Sequence, residues 1–177
     1  MKKILRNILD FSLYILIILV LSLLVVKYVG QRTVVLGHSM EPTLSDNDNL
    51  FVDKISYRFH NPRRFDVIVF PYQYADKTYY IKRVIGLPGE TVRIDEKGAV
   101  YINDVLLEEG YGKETIKDPG MAIDGITLQD DEYFVMGDNR NDSSDSRFVS
   151  VGNIKRSQIL GKAFLRIYPF TKIGLVK

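Results

Sequence analysis

Cysteine is absent from this sequence, which excludes a disulfide framework, a thiolate metal site and a cysteine nucleophile, and leaves the redox compartment unmarked. Histidine is scarce, and two residues leave little for a zinc site. Charge of one sign is missing as well: 24 basic side chains face 22 acidic ones, and a net charge of +2 gives no global field for gripping nucleic acid. Beyond the N-terminal segment no long stretch holds a helical period, apart from a turn around "DKISYRF", Asp53 to Phe59. Internal repeats and low-complexity tracts are lacking too. What is present is 177 residues with 46% hydrophobic content, enough for one compact domain and a short appendage.

The appendage comes first. Phe11 to Val26 run sixteen residues without a charge, "FSLYILIILVLSLLVV", after Lys2, Lys3 and Arg6 and before Lys27. As a helix this run spans about 24 Å, short of the roughly 30 Å hydrocarbon core. Ile8 and Leu9 extend it past Asp10, while Lys27 and Tyr28 can snorkel at the far boundary. A removable signal peptide shares the basic start and apolar run. Here, however, "KYVGQRTVVLG" offers no small residues at A-x-A spacing, and the run exceeds the usual apolar region. The expectation is a retained single-pass anchor over residues 8–29, with residues 1–7 in the cytoplasm and residues 30–177 working outside it, against the bilayer. Lys27 and Arg32 reduce the charge asymmetry behind that orientation.

From Arg32 onward the pattern changes to short runs rich in Val, Ile, Tyr and Phe, punctuated by Gly, Pro, Asn and Asp. "RTVVLG", "NLFVDKIS", "DVIVFPY", "KTYYIKRVIG", "TVRI", "AVYIN", "EYFVMG" and "ILGKAFLRIYP" all read as strands. The fold class is mainly β, a folded barrel or sandwich of short strands behind an N-terminal transmembrane helix. "TVRIDEKGAVYIN" reads as a hairpin turning at "DEKG". An inserted excursion occupies about residues 88–130, and its charged, glycine-bearing part from Leu106 to Ile126 is expected on the surface rather than in the core.

Three clusters can carry chemistry. In "VVLGHSMEPTL", Ser39 follows a strand that breaks at Gly37, and Pro42 stiffens the turn beyond it. A serine hydroxyl attacks only when a neighbour takes its proton, and most serines are never so activated. His38 is adjacent, but neighbours in an extended segment point to opposite faces. His60 lies in the polar, turn-rich "YRFHNPRRF", and no acid is singled out to orient either histidine. A lysine base needs burial to lower its pKa. In "TYYIKRVIGLPGE", Tyr80, Lys82 and Val84 share one strand face, with Ile81 and Arg83 on the other, so Lys82 lies along an apolar face. A lysine whose stem covers apolar surface while its amine reaches water fits that pattern as well. The third cluster is "MGDNRNDSSDSRF", directly after an apolar strand. Arg140 and Ser143 stand where a calcium loop needs an oxygen ligand and a glycine, so calcium is not expected. A polar loop tied by Asp–Arg pairs fits it too.

Together and in order, these clusters resemble the boxes of the type I signal peptidases, the membrane-anchored serine proteases that remove signal peptides from exported proteins. "GHSMEPTL" looks like the serine box, "YYIKRVIGLPGE" like the lysine box, and "GDNRNDSSDSRF" with "ILGKA" like the C-terminal box. With the anchor, the resemblance runs to about Tyr168, and it is to the compact, single-anchor members.

The resemblance implies a Ser/Lys dyad: Ser39 as nucleophile with its backbone N–H as oxyanion donor, and Lys82, 43 residues away, as general base. It implies that Ser143 hydrogen-bonds and orients Lys82, and that Asp145, Arg147 and Arg83 brace the site. Val35, Leu36, Met40, Leu44, Tyr80 and Ile81 would line shallow pockets for Ala-x-Ala substrates. No metal or cofactor is implied. The partners would be secreted preproteins and the lipid bilayer of a bacterial cell membrane, near the secretion translocon, without nucleic acid. Two departures from the family pattern stand out. Gly37 replaces a hydroxyl that some relatives place two residues before the nucleophile, which leaves a second oxyanion donor unidentified, and "RFVSVGNI" is looser than the usual end of the last box. A self-cleaving Ser/Lys repressor would need a DNA-binding N-terminus where this chain has an apolar segment. A non-catalytic anchored domain that binds exported chains is the remaining alternative.

Overall fold

The computed structural model describes residues 2–73 and 78–177, and for Lys2 and Leu5 only the backbone. Lys77, at the start of the expected strand "KTYYIKRVIG", lies outside the described residues. A single helix, α1, covers Lys2–Tyr28. Its 27 residues correspond to about 40 Å, so the helix runs past both ends of the uncharged stretch and is long enough for a bilayer. Its Arg6–Tyr28 portion has a mean hydropathy of 2.7 and is not buried against the rest of the chain.

The body is built of β1 (Gly30–Val34), β2 (Asn49–Asp53), β3 (Val67–Pro71), β4 (Tyr79–Gly86), β5 (Thr91–Ile94), β6 (Val100–Ile102), β7 (Val105–Leu106), β8 (Ile126–Thr127), β9 (Glu132–Met136), β10 (Ile154–Lys155), β11 (Gly161–Tyr168) and β12 (Gly174–Leu175). The larger sheet runs β1-β2-β11-β3-β4-β9-β10, with β12 added to β11, and the smaller runs β7-β6-β5-β8. All pairings are antiparallel. The larger sheet is therefore open, and the arrangement is sandwich-like rather than a closed barrel. The "DKISYRF" turn is a short 3₁₀ helix at Ser56–Arg58. The β5–β6 hairpin turns at Asp95–Gly98, where Gly98 takes a φ of +78° that a side chain would strain.

Period-2 alternation sorts the core. On β3, Ile68 and Phe70 pack on one face with Val84, Tyr133 and Val135, while Val67 and Val69 face the opposite cluster containing Val35, Met40, Leu44 and Ile81. A further cluster joins the sheets, setting Ile85, Phe134 and Met136 against Val92, Ile94, Val100 and Ile102. One expectation is corrected here. The segment from Leu106 to Ile126 is not confined to the surface, because Ile116 and Ala122 are buried in that inter-sheet cluster. Their apolar side chains pin the excursion down, together with hydrogen bonds such as Lys117 N–H to Asn141 Oδ1 and Met121 N–H to Arg147 O.

Candidate active site

The Ser39 turn begins where β1 ends. Val35 continues the ladder by donating its N–H to Asp48 O, and Gly37, at a φ of +89°, turns the chain away from it. The Gly37 N–H donates to Asp46 Oδ1 at 2.8 Å, so that amide already has a partner. Just past Ser39, Met40 is sunk into the core at 1% exposure. From the other side, Asn139 clamps the turn: its backbone N–H donates to Ser39 O at 3.0 Å and its Nδ2 to His38 O at 3.1 Å.

Lys82 comes from β4. Its Nζ lies 2.7 Å from Ser39 Oγ and 5.0 Å from the centre of the Tyr80 ring. The side chain is 3% exposed. Burial pushes its pKa from 10.5 down to about 8, against the opposing pull of the Asp145 and Asp138 carboxylates. A lysine in this state releases its proton near neutral pH.

Two sealed ion pairs hold the flanking strands. Arg83, next to Lys82 on β4, grips Asp138 through Nε at 2.8 Å and NH2 at 2.7 Å, with both side chains fully buried. Arg147 grips Asp145 the same way, at 2.8 and 2.9 Å, and also donates to Arg140 O and Asp118 O. Asp145 in turn accepts the Gly137 N–H. The polar cluster is thus a rigid frame built around two bidentate pairs.

Other residues fall into place or out of it. Ser143 lines the cleft with Ser39 and Lys82. The expected hydrogen bond to Lys82 is not made in this structure: the buried Ser143 Oγ has no partner among the described residues. The Lys82 amine is instead directed to Ser39, and the Ser143 side chain packs over Gly137, where a Cβ would collide with it. The His38 imidazole is exposed and pairs with Glu41 at 2.9 Å, and Glu41 also binds Lys113 at 3.0 Å. His60 is exposed, and among the described residues its imidazole reaches only Ser56 O.

A cleft of about 950 Å³ opens over Ser39 and Lys82. Val35, Leu36, Met40, Tyr80 and Ile81 line it. Leu44 does not, because it is 1% exposed inside the core, its N–H bonded to Met40 O. The cleft lies between two strand edges. β1 is terminal in its sheet, and β9 pairs with β4 only from Arg83 onward. The Tyr79–Lys82 edge therefore has no strand partner on that side among the described residues.

Sequence reasoning did not single out Asp138, Asn139 or Thr43, which joins the Arg83–Asp138 pair by donating to Asp138 at 2.5 Å. The hydrogen bonds of their side chains span between 40 and 101 residues, so no local spacing exposes them.

The model of the family described as "Signal peptidase, peptidase S26" matches residues 8–168. A probable signal peptidase I-2 of Synechocystis sp. is 38% identical over 89% of this chain and 72% of its own length. Signal peptidase I of Leptolyngbya laminosa is 41% identical over 88% and 77%. Signal peptidase I P of Bacillus subtilis subsp. natto is 36% identical over 97% and 94%.

Proposed function

Because this chain belongs to the signal peptidase family S26, we propose that it removes signal peptides from exported preproteins, with Ser39 as nucleophile and Lys82 as general base. The observation that carries the dyad is the 2.7 Å contact between Ser39 Oγ and a lysine amine that is nearly buried and whose pKa is pushed down to about 8. Lysine in that environment is matched to base catalysis near neutral pH.

Neutral Lys82 takes the Ser39 proton as Oγ attacks the scissile carbonyl carbon. The Ser39 N–H receives the resulting oxyanion. The tetrahedral intermediate collapses, and the Lys82 ammonium gives its proton to the departing amine of the mature protein. That leaves an ester between Ser39 and the signal peptide. Lys82 then deprotonates a water molecule that attacks the ester. The signal peptide leaves with a free carboxylate, and the proton returns to Ser39.

Substrate enters as an extended strand between β1 and β4, whose free edges offer main-chain hydrogen bonds. Val35, Met40 and Ile81 are held by core packing, so the walls beside the scissile bond have little room to yield. Small residues at alternate positions, Ala-x-Ala, suit such walls. α1 serves as the membrane anchor, with residues 1–7 in the cytoplasm and the catalytic body of residues 30–177 outside it, near the point where translocated chains emerge. Arg83, Asp145 and Arg147 brace the frame, and Ser143 moves onto the Lys82 amine when substrate displaces the apo contact.

Cleavage of a preprotein by the full chain in detergent tests the dyad, with sequencing of the product N-terminus. The wild type is expected to cut after a small residue. Ser39→Ala and Lys82→Ala should each lose at least three orders of magnitude, and substantial activity in Lys82→Ala overturns the assignment of the base.

A further inference from the structure

A second pocket, of about 630 Å³, opens where α1 meets the body. It is lined by Lys27 from the last turn of α1, Lys54 and Arg58 from the segment after β2, and Arg156 from the 3₁₀ turn after β10. No carboxylate is among its described lining residues. Lys113 and Lys117, by contrast, are exposed lysines with carboxylate partners, Glu41 and Glu114. Among the described residues none of these four has a carboxylate partner. The four find neutral partners instead: Lys54 donates to Val26 O, Arg156 to Tyr57 O and His60 O, and Lys27 and Arg58 lie against the Tyr28 ring, so their charges are left for an anion from outside to balance.

The position of the pocket narrows the choice of anion. Lys54 donates Nζ to Val26 O at 3.1 Å and its backbone N–H to Val29 O at 2.9 Å, so the pocket floor is fastened to the end of the apolar helix. The Arg58 guanidinium lies 4.9 Å from the centre of the Tyr28 ring. Ile55 and Phe59, neighbours of Lys54 and Arg58, are exposed and apolar. A basic recess with apolar side chains beside it, at the level where a membrane helix leaves the hydrocarbon, matches an amphiphile carrying a phosphate between a glycerol and its acyl chains. Burial also holds Lys54 below the usual lysine pKa, and a bound phosphate would offset that cost.

We infer that this pocket binds the phosphate of an anionic phospholipid from the bilayer that α1 crosses. Ser157 and Gln158 lie in the same recess and supply polar groups for the headgroup. Tyr79 lines both this pocket and the substrate cleft, so the lipid sits directly behind one wall of the cleft. The inference rests on α1 entering a bilayer and is independent of the roles of Ser39 and Lys82.

The test titrates the purified full chain, in non-ionic detergent, with dioctanoyl phosphatidylglycerol, dioctanoyl phosphatidylcholine and inorganic phosphate, and follows bound species by native mass spectrometry. Saturable binding of the glycerol lipid, at least tenfold tighter than either other probe, is expected. Lys54→Gln combined with Arg58→Gln should weaken it at least tenfold, since each basic residue near an anionic surface contributes about fivefold. Lys54→Arg should retain it. Cleavage of a short soluble peptide without lipid reports that the double variant is folded. Should that variant fail to fold, Arg58→Gln alone, on an exposed side chain, should weaken binding about fivefold. Equal affinity for the zwitterionic lipid, equal affinity for inorganic phosphate, or a folded double variant that binds like the wild type overturns the inference.

Discussion

Burying Lys82 costs stability. Its pKa in the folded chain is about 8, against 10.5 when solvated, so between those values the unfolded chain binds more protons and stability rises with pH. Below about 8 the full penalty for burying the ammonium applies, on the order of 3 kcal/mol. Lys82→Met should therefore raise the melting temperature at pH 7 while abolishing cleavage, and the advantage should fade between pH 8 and 10.5. In the wild type, kcat/KM should climb tenfold per pH unit below about 8 and level above it. A flat profile from pH 6 to 9 would count against a lysine base. Gly137 gives a steric test at the same scale. A Cβ there would collide with Ser143 Oγ and Ser39 O, so Gly137→Ala should cut kcat by at least a hundredfold, with KM nearly unchanged. Neither residue declares its role by spacing alone. Lys82 sits on an apolar strand face, which the alternation reveals, but whether its amine meets water or a hydroxyl depends on a chain segment 43 residues away.

Among the elements, those legible in the sequence were the ones with enough residues to display a period. β5 matches its apolar run from Thr91 to Ile94, and β2, β3, β6 and β9 fall within theirs. β7, β8, β10 and β12 are two residues long, too short for alternation to register, and tertiary pairing alone defines them. Leu44 and Ile116 show a related effect: each lies in a segment that reads as turn or surface, yet each is buried by what packs across it. The frame behind Ser39 and Lys82 was legible as chemistry but not as pairing. Arg83 on β4 needs Asp138, which follows β9, and both are sealed from water. Asp138→Ala would leave a buried guanidinium without its counter-charge, at a cost of about 3–5 kcal/mol. Denaturant unfolding should register that loss. A change below about 1 kcal/mol would mean that water reaches Arg83.

In the molecule as a whole, α1 and the body meet with almost no slack. Val29 alone separates α1 from β1, its carbonyl accepts from the Lys54 backbone, and Gly30 is packed so closely that a Cβ would strike Phe51. Ser39 follows Gly30 by nine residues. Inserting three flexible residues between Val29 and Gly30 should leave cleavage of a short soluble peptide within about twofold, while lowering preprotein processing in vesicles at least tenfold. Unchanged processing would mean that the junction is mechanically irrelevant. With α1 in a bilayer, as proposed, a stiff joint at its end would turn the enzyme into a gauge. The distance from bilayer to scissile bond would then be a constant of the protein, and a preprotein would be chosen partly by how far its apolar segment carries its cleavage point from the lipid.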